Sequence, residues 1–131
     1  MKTAGHCLIR TLVRSKVPSV PFEAIKNRIV GTGYELSVTI NGDALARRLN
    51  KKHRGKTYAA NVLSFPLSKT EGEMFLNVRK AAREAKSQGV TVQYWLIYLY
   101  IHGLLHLKGF NHGGAMERAQ ERLVKEFATR A

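Results

Sequence analysis

Residues 102–112 read HGLLHLKGFNH, placing His102, His106 and His112, three of the chain's five histidines, within one short stretch. Neutral imidazoles are good ligands for borderline divalent cations. Catalytic zinc characteristically takes three protein ligands and keeps a fourth position exchangeable, and Ni²⁺ accepts the same donors. The spacing suits one shared ion. Residues four apart on a helix lie on one face, about 5–6 Å between Cβ atoms, so His102 and His106 can aim at one point. Gly109 is placed to end the helix in a left-handed turn, and His112, three residues on, can return to that point. Taken singly, His102 or His106 on an apolar helix is an ordinary hydrogen-bonded core histidine, and His112 an ordinary loop histidine. Taken together they point to one metal ion per chain. His6 and His53 are too isolated in sequence for spacing to assign them.

The layout HxxxHxxGxxH is also that of the long metalloprotease signature, in which a glutamate general base follows the first histidine. Gly103 stands there and cannot move a proton. The next acids along the chain, Glu117 and Glu121, have no spacing that aims them at the histidines. Glutamate-based peptide hydrolysis therefore falls well down the order of readings. Asp43 is the only aspartate, which argues against an oxygen-rich magnesium or calcium cage. Cys7 is the only cysteine, so neither an internal disulfide nor a thiolate zinc cluster can form, and a reducing, cytoplasmic setting fits.

Twenty-two Lys and Arg face nine Asp and Glu, a formal charge of +13. Such an excess points to a polyanion partner: RNA, DNA or an acidic membrane surface. Arg47, Arg48, Lys51, Lys52, Arg54 and Lys56 crowd one stretch, where lysines supply non-specific phosphate contacts. A guanidinium forks onto two phosphate oxygens and stabilises charge that develops during phosphodiester cleavage. By itself, though, Arg54 reads as a solvated turn residue. Asn61 and Ser64 stand where they would line a cleft, and no base can be assigned to Ser64 as a nucleophile. Tyr94, Trp95, Tyr98 and Tyr100 read as core or boundary aromatics rather than base-stacking platforms.

These groups must be held by an α+β fold, a single compact domain over residues 1–131. CLIRTLVRS alternates like a first strand. PFEAIKNRIVG is a short helix closed by Gly31, and ELSVTI a half-buried strand. NGDALARRLNKK is a helix capped by Asn41 or Asp43 that buries Leu45 and Leu49. NVLSFP is a strand stopped by Pro66, GEMFLNV a further strand or edge segment, and RKAAREAKSQ a helix ending before Gly89. From Val92 to Lys108 runs a buried apolar helix, too short and too interrupted for the ~20 residues a bilayer span needs. A last amphipathic helix covers 117–130, with Met116, Ala119, Leu123 and Phe127 on one face. The expectation is a mixed sheet of about four strands against several helices, the central apolar one carrying the histidines.

Three stretches resemble one known family. HGLLHLKGFNH is similar to HGxLHLxGYDH, the hallmark of the YbeY family of metal-dependent endoribonucleases of bacterial ribosome maturation. NKKHRGKTYAANVLSFP, from Asn50 to Pro66, resembles the family's NxxYRGKxxPT(D/N)VLSFP without gaps. Gly72-Glu73-Met74 and Ala82-Arg83-Glu84-Ala85 resemble a GDI segment leading to an AREA-like helix. The three fall in order over about residues 35 to 125. His53 replaces an aromatic, Ala59 and Ala60 replace Pro and Thr, Glu73 and Asn111 each replace Asp, and the tail after His112 is short. These departures mark a divergent member, and the charge missing at Asn111 is one that could tune a metal.

The resemblance implies that His102, His106 and His112 ligate one Zn²⁺ and that Arg54 is the functional arginine, with Lys51 and Lys56 adding RNA contacts. It implies a single-strand-preferring endoribonuclease acting on small-subunit ribosomal RNA precursors in ribosome maturation or quality control. The partners would be RNA and the ribosome or a ribosomal protein, in the cytoplasm and not at a membrane. Whether water or the RNA 2′-OH attacks is left open. So is a non-catalytic RNA- or ribosome-binding factor with a structural zinc site.

Overall fold

Helix and strand boundaries follow local capping chemistry in this computed structural model, which describes residues 5–128. The order is β1 (Cys7–Thr11), α1 (Phe22–Ile29), β2 (Glu35–Asn41), α2 (Asp43–Arg54), β3 (Val62–Ser68), β4 (Glu71–Asn77), α3 (Val78–Gln88), α4 (Val92–Lys108) and α5 (Gly114–Phe127). Asn77 starts α3, its side chain accepting from the Lys80 N–H at 3.1 Å. Thr91 starts α4 in the same way, accepting from the Tyr94 N–H at 3.0 Å. At the other end of α4, Gly109 takes φ 109°, a value that favours glycine. Its N–H bonds the His106 carbonyl and the Phe110 N–H bonds the Leu105 carbonyl, each at 3.0 Å. That pair of bonds turns the chain sharply back.

The four strands form one mixed sheet in the order β1-β2-β4-β3, with β1–β2 and β2–β4 parallel and β3–β4 antiparallel. The α+β class, the strand number and the central apolar helix agree with the sequence reading. Register puts Leu36, Val38 and Ile40 opposite Gly72, Met74 and Leu76. Side chains alternate across a strand, so all six share a face. Against it pack Leu96, Tyr100, Ile101, Leu104 and Leu105 of α4, all buried. Each such side chain contributes about 1.5–3 kcal/mol by leaving water. Among the described residues no helix is long and apolar enough to cross a membrane.

Several local expectations need correction. Neither Asn41 nor Asp43 caps α2: Gly42 holds that position without a side-chain bond, and Asp43 is already the first helical residue. The buried stripe of α2 is Ala46 and Asn50, whereas Leu45 and Leu49 are only half-buried. Asn50 is drawn inward because its amide donates to the Tyr58 carbonyl at 2.9 Å. Pro66 does not stop β3, which runs on to Ser68 with an irregularity between Pro66 and Ser68. A proline, lacking an N–H, is tolerated on an edge strand, and β3 is one. GEMFLNV is an interior strand, since β4 has β2 on one side and β3 on the other. The last helix begins at Gly114 rather than Glu117; its expected end at Arg130 lies outside the described residues.

Candidate metal centre

The C-terminal half of α4 and the turn beyond it bring the three histidines together. Their ligand atoms all lie within 4.8 Å of one another. His102 Nε2 and His106 Nε2 are 3.1 Å apart. Two nitrogens each about 2.0–2.1 Å from a tetrahedral zinc ion would be about 3.3 Å apart, so the first pair already has the bite of a bidentate site. His112 closes the set from the turn, its ring centroid 5.6 Å from that of His102 and 4.8 Å from that of His106. The glycine turn does a second job. It returns the Phe110 carbonyl to His106, whose Nδ1 lies 3.2 Å away. A carbonyl can only accept, so Nδ1 carries the proton and Nε2 keeps its lone pair for a ligand.

Electrostatics favour the ligating form. Burial pushes the His102 ring below its ordinary pKa, and the neighbouring His106 adds to this. Burial does the same to His106, joined by the charges of His112 and Arg54. Arg54, the last residue of α2, is thus near enough for its charge to act on His106. Gly55 ends that helix in the left-handed conformation, φ 67°. Lys51 and Lys56 lie exposed on either side of Arg54.

A cavity of about 710 Å³ opens on the other flank, between α4 and α5, lined among others by Tyr98, His102, His112, Gln120, Glu117 and Glu121. The triad therefore sits between a basic helix end and a partly acidic cavity.

Gly103 explains why no glutamate follows the first histidine. A Cβ built there would lie 2.6 Å from Met74 Cε and 2.8 Å from Ser64 Oγ, so any side chain would have to displace those two groups of the sheet. Ser64 is held in place by donating to the Gly103 carbonyl at 3.0 Å. Asn61 binds the Glu84 carboxylate at 3.1 Å, and Glu84 also accepts from Trp95 Nε1 at 2.9 Å. Of the two residues singled out as cleft-lining, Ser64 thus braces the histidine-bearing part of α4, while Asn61 ties the start of β3 to α3 and to the start of α4. Tyr100 is fully buried, donating to the Phe22 carbonyl at 2.8 Å, while Trp95 and Tyr98 stack on each other at 4.6 Å.

A family model described as Endoribonuclease YbeY matches residues 10–128. The chain belongs to the YbeY family. A relative from Aromatoleum aromaticum named Endoribonuclease YbeY is 43% identical over 90 residues, covering 66% of this chain and 58% of its own length. Another YbeY, from Chromobacterium violaceum, is 31% identical, with 95% of this chain and 86% of the relative covered. Against the Mycoplasma mycoides YbeY the chain spans 65% of the relative, so two of these relatives extend well beyond the matched region. The solution structure of TM1509 from Thermotoga maritima superposes with a TM-score of 0.65 at 25% identity, over 91% of this chain and 88% of that one.

Sequence reasoning passed over Gln120, which is buried on α5 beside His102. The available signal was its place on the apolar stripe with Met116 and Leu123, where a polar side chain requires a partner.

Proposed function

We propose that this chain is a zinc-dependent endoribonuclease that prefers single-stranded RNA and acts in the cytoplasm on small-subunit ribosomal RNA precursors during ribosome maturation. The observation that carries the reading is the convergence of three ring nitrogens within 4.8 Å, at the edge of a basic surface, in a YbeY chain. The donor set is three neutral imidazoles with no carboxylate or thiolate, which suits Zn²⁺ and leaves one position for substrate. Zinc, when bound, supplies Lewis acidity toward a phosphodiester oxygen or an attacking hydroxyl.

The rest falls to the protein. Lys51, Lys56 and the exposed Arg47, Arg48 and Lys52 draw the RNA backbone to the α2 flank by sequence-independent attraction. Arg54 forks onto the scissile phosphate and offsets the negative charge that builds on its oxygens. Gly103 and Ser64 transfer no proton to or from the substrate. They let the sheet approach α4 closely enough to fix the histidines.

The test is cleavage of a single-stranded ribosomal precursor fragment by purified wild type and His106→Ala, with zinc content measured on both. Wild type should hold close to one zinc per chain and cleave; His106→Ala should do neither. Equal cleavage by both proteins would remove this site from the activity. Zinc bound without cleavage would leave a structural ion in an RNA- or ribosome-binding factor.

A further inference from the structure

We infer that Gln120 is a positioning residue of the triad, its side-chain oxygen accepting the Nδ1 proton of His102 so that Nε2 is left free to bind metal. The inference rests on the zinc reading above and deepens it. Gln120 is only 4% exposed. Its Nε2 donates to the Tyr98 carbonyl at 2.8 Å, one helical turn before His102. Because that carbonyl can only accept, the amide cannot be flipped, and the other atom must be the oxygen. That oxygen is shielded from solvent and has no hydrogen-bond partner. Gln120 and His102 line the same cavity, and the Gln120 side chain is near enough to the His102 ring to act on it.

Proton accounting at the triad shows what the acceptor is for. His106 commits its Nδ1 proton to the Phe110 carbonyl. The proton shared between the two Nε2 atoms, 3.1 Å apart, must then come from His102. A cation that takes both Nε2 lone pairs requires the His102 ring to carry its proton at Nδ1 instead. Gln120 Oε1 is the buried acceptor that stabilises that tautomer, as the Phe110 carbonyl does for His106. Each α4 histidine would then have its own orienting oxygen, one from the turn and one from α5.

Zinc affinity of the full chain, measured by competition with a chromogenic chelator, separates the two atoms of the amide. Gln120→Leu removes the acceptor and should weaken zinc binding about 10- to 100-fold. Gln120→Glu keeps an acceptor while losing the donor to Tyr98, and should stay within about threefold of wild type. Wild-type affinity in Gln120→Leu, or equal weakening in both variants, would overturn the inference; the second result would assign the effect to the bond with Tyr98. The inference is also read without any variant. In zinc-loaded wild type, long-range nitrogen–proton NMR should find His102 protonated at Nδ1, and protonation at Nε2 would overturn it. A wild type that binds no zinc brings down the metal reading as well, whereas a wild type that binds while Gln120→Leu matches it brings down this inference alone.

Discussion

Asp43, Asn77 and Arg83 close on one another, and His102, His106 and His112 do not. In the first cluster both terminal guanidinium nitrogens of Arg83 reach the Asp43 carboxylate at 2.9 Å, and Asn77 donates to it at 2.9 Å. Hydrogen bonds from Arg83 and Asn77 hold that carboxyl down to about 2. Donors and acceptors complement each other, and the result ties the start of α2 to the start of α3. The second cluster gathers three groups of one kind. The His102 and His106 rings resist protonation the more for having histidines near them, and no carboxylate joins the three among the described residues. Only a cation from outside would engage all three ring nitrogens at once. A polar cluster that satisfies itself is built for the fold, and one that needs an external partner is built for binding.

The widest separation between the clusters should come from deleting one member of each. His102→Ala should reduce zinc from near one per chain to background and abolish RNA cleavage. With chelator present, it should cost no more than about 1 kcal/mol of stability. Asp43→Ala should do the reverse, keeping zinc while lowering the unfolding midpoint. Zinc itself should stabilise the wild type by about 2.7 kcal/mol at a free concentration one hundred times its Kd. Elemental analysis and thermal unfolding with and without chelator measure all of these. A metal-free His102→Ala that unfolds far more readily than wild type would make the triad a structural cluster after all.

Arg54 sharpens the division between holding the metal and using it. Arg54→Ala should lower turnover about 10²-fold, the scale for losing one preorganised charge stabiliser, with zinc content unchanged. Arg54→Lys should recover only part of the loss, since an ammonium cannot fork onto two oxygens. Loss of zinc in Arg54→Ala would place the arginine within the metal site's own architecture.

Gly103 tests whether the triad depends on the sheet behind it. Gly103→Ala adds a methyl where Met74 Cε lies 2.6 Å away and Ser64 Oγ 2.8 Å away. Overpacking of this kind costs about 1–3 kcal/mol. The end of the Met74 side chain is flexible, so the lower part of that range is expected in urea unfolding. Zinc affinity should fall along with stability, because the displaced helix carries both His102 and His106.

The triad was legible because metal ligation imposes a spacing on the chain, and four residues on a helix followed by a glycine turn is visible in a string of letters. The complementary cluster was not. Asp43, Asn77 and Arg83 come from three elements, and nothing in their spacing brings them together. The same blindness hid Lys26, which reads as an ordinary helix lysine but is fully buried, its ammonium donating to the Thr32 and Gly5 carbonyls and to Asn27. Gly103 was read for the base it lacks, when its meaning lies in the Met74 and Ser64 atoms pressed against it. Element types were readable from periodicity, whereas the interior position of β4 and the edge position of β3 depend on pairing between distant segments.

Acid should unload the two clusters in separate steps, and the smaller step belongs to Asp43. Burial holds the pKa values of the His102 and His106 rings below their ordinary 6.5. Protons therefore favour the unfolded, metal-free chain as pH falls through that value, and zinc should leave first. The Asp43 carboxyl has a folded pKa of about 2 against an ordinary 3.8. Its contribution is fully present above the unfolded value and is lost as pH falls from there through the folded one. The carboxylate is partly exposed and screened by solvent, so about 1 kcal/mol is the expected size. Asp43→Asn, measured beside wild type with chelator present, should be less stable by that amount at neutral pH, with the difference shrinking as pH falls from about 4 through 2. A difference that persisted unchanged to the acid limit would trace to packing of the side chain rather than to its charge. The first cluster would then owe its cohesion to shape, and charge complementarity would no longer distinguish it from the second.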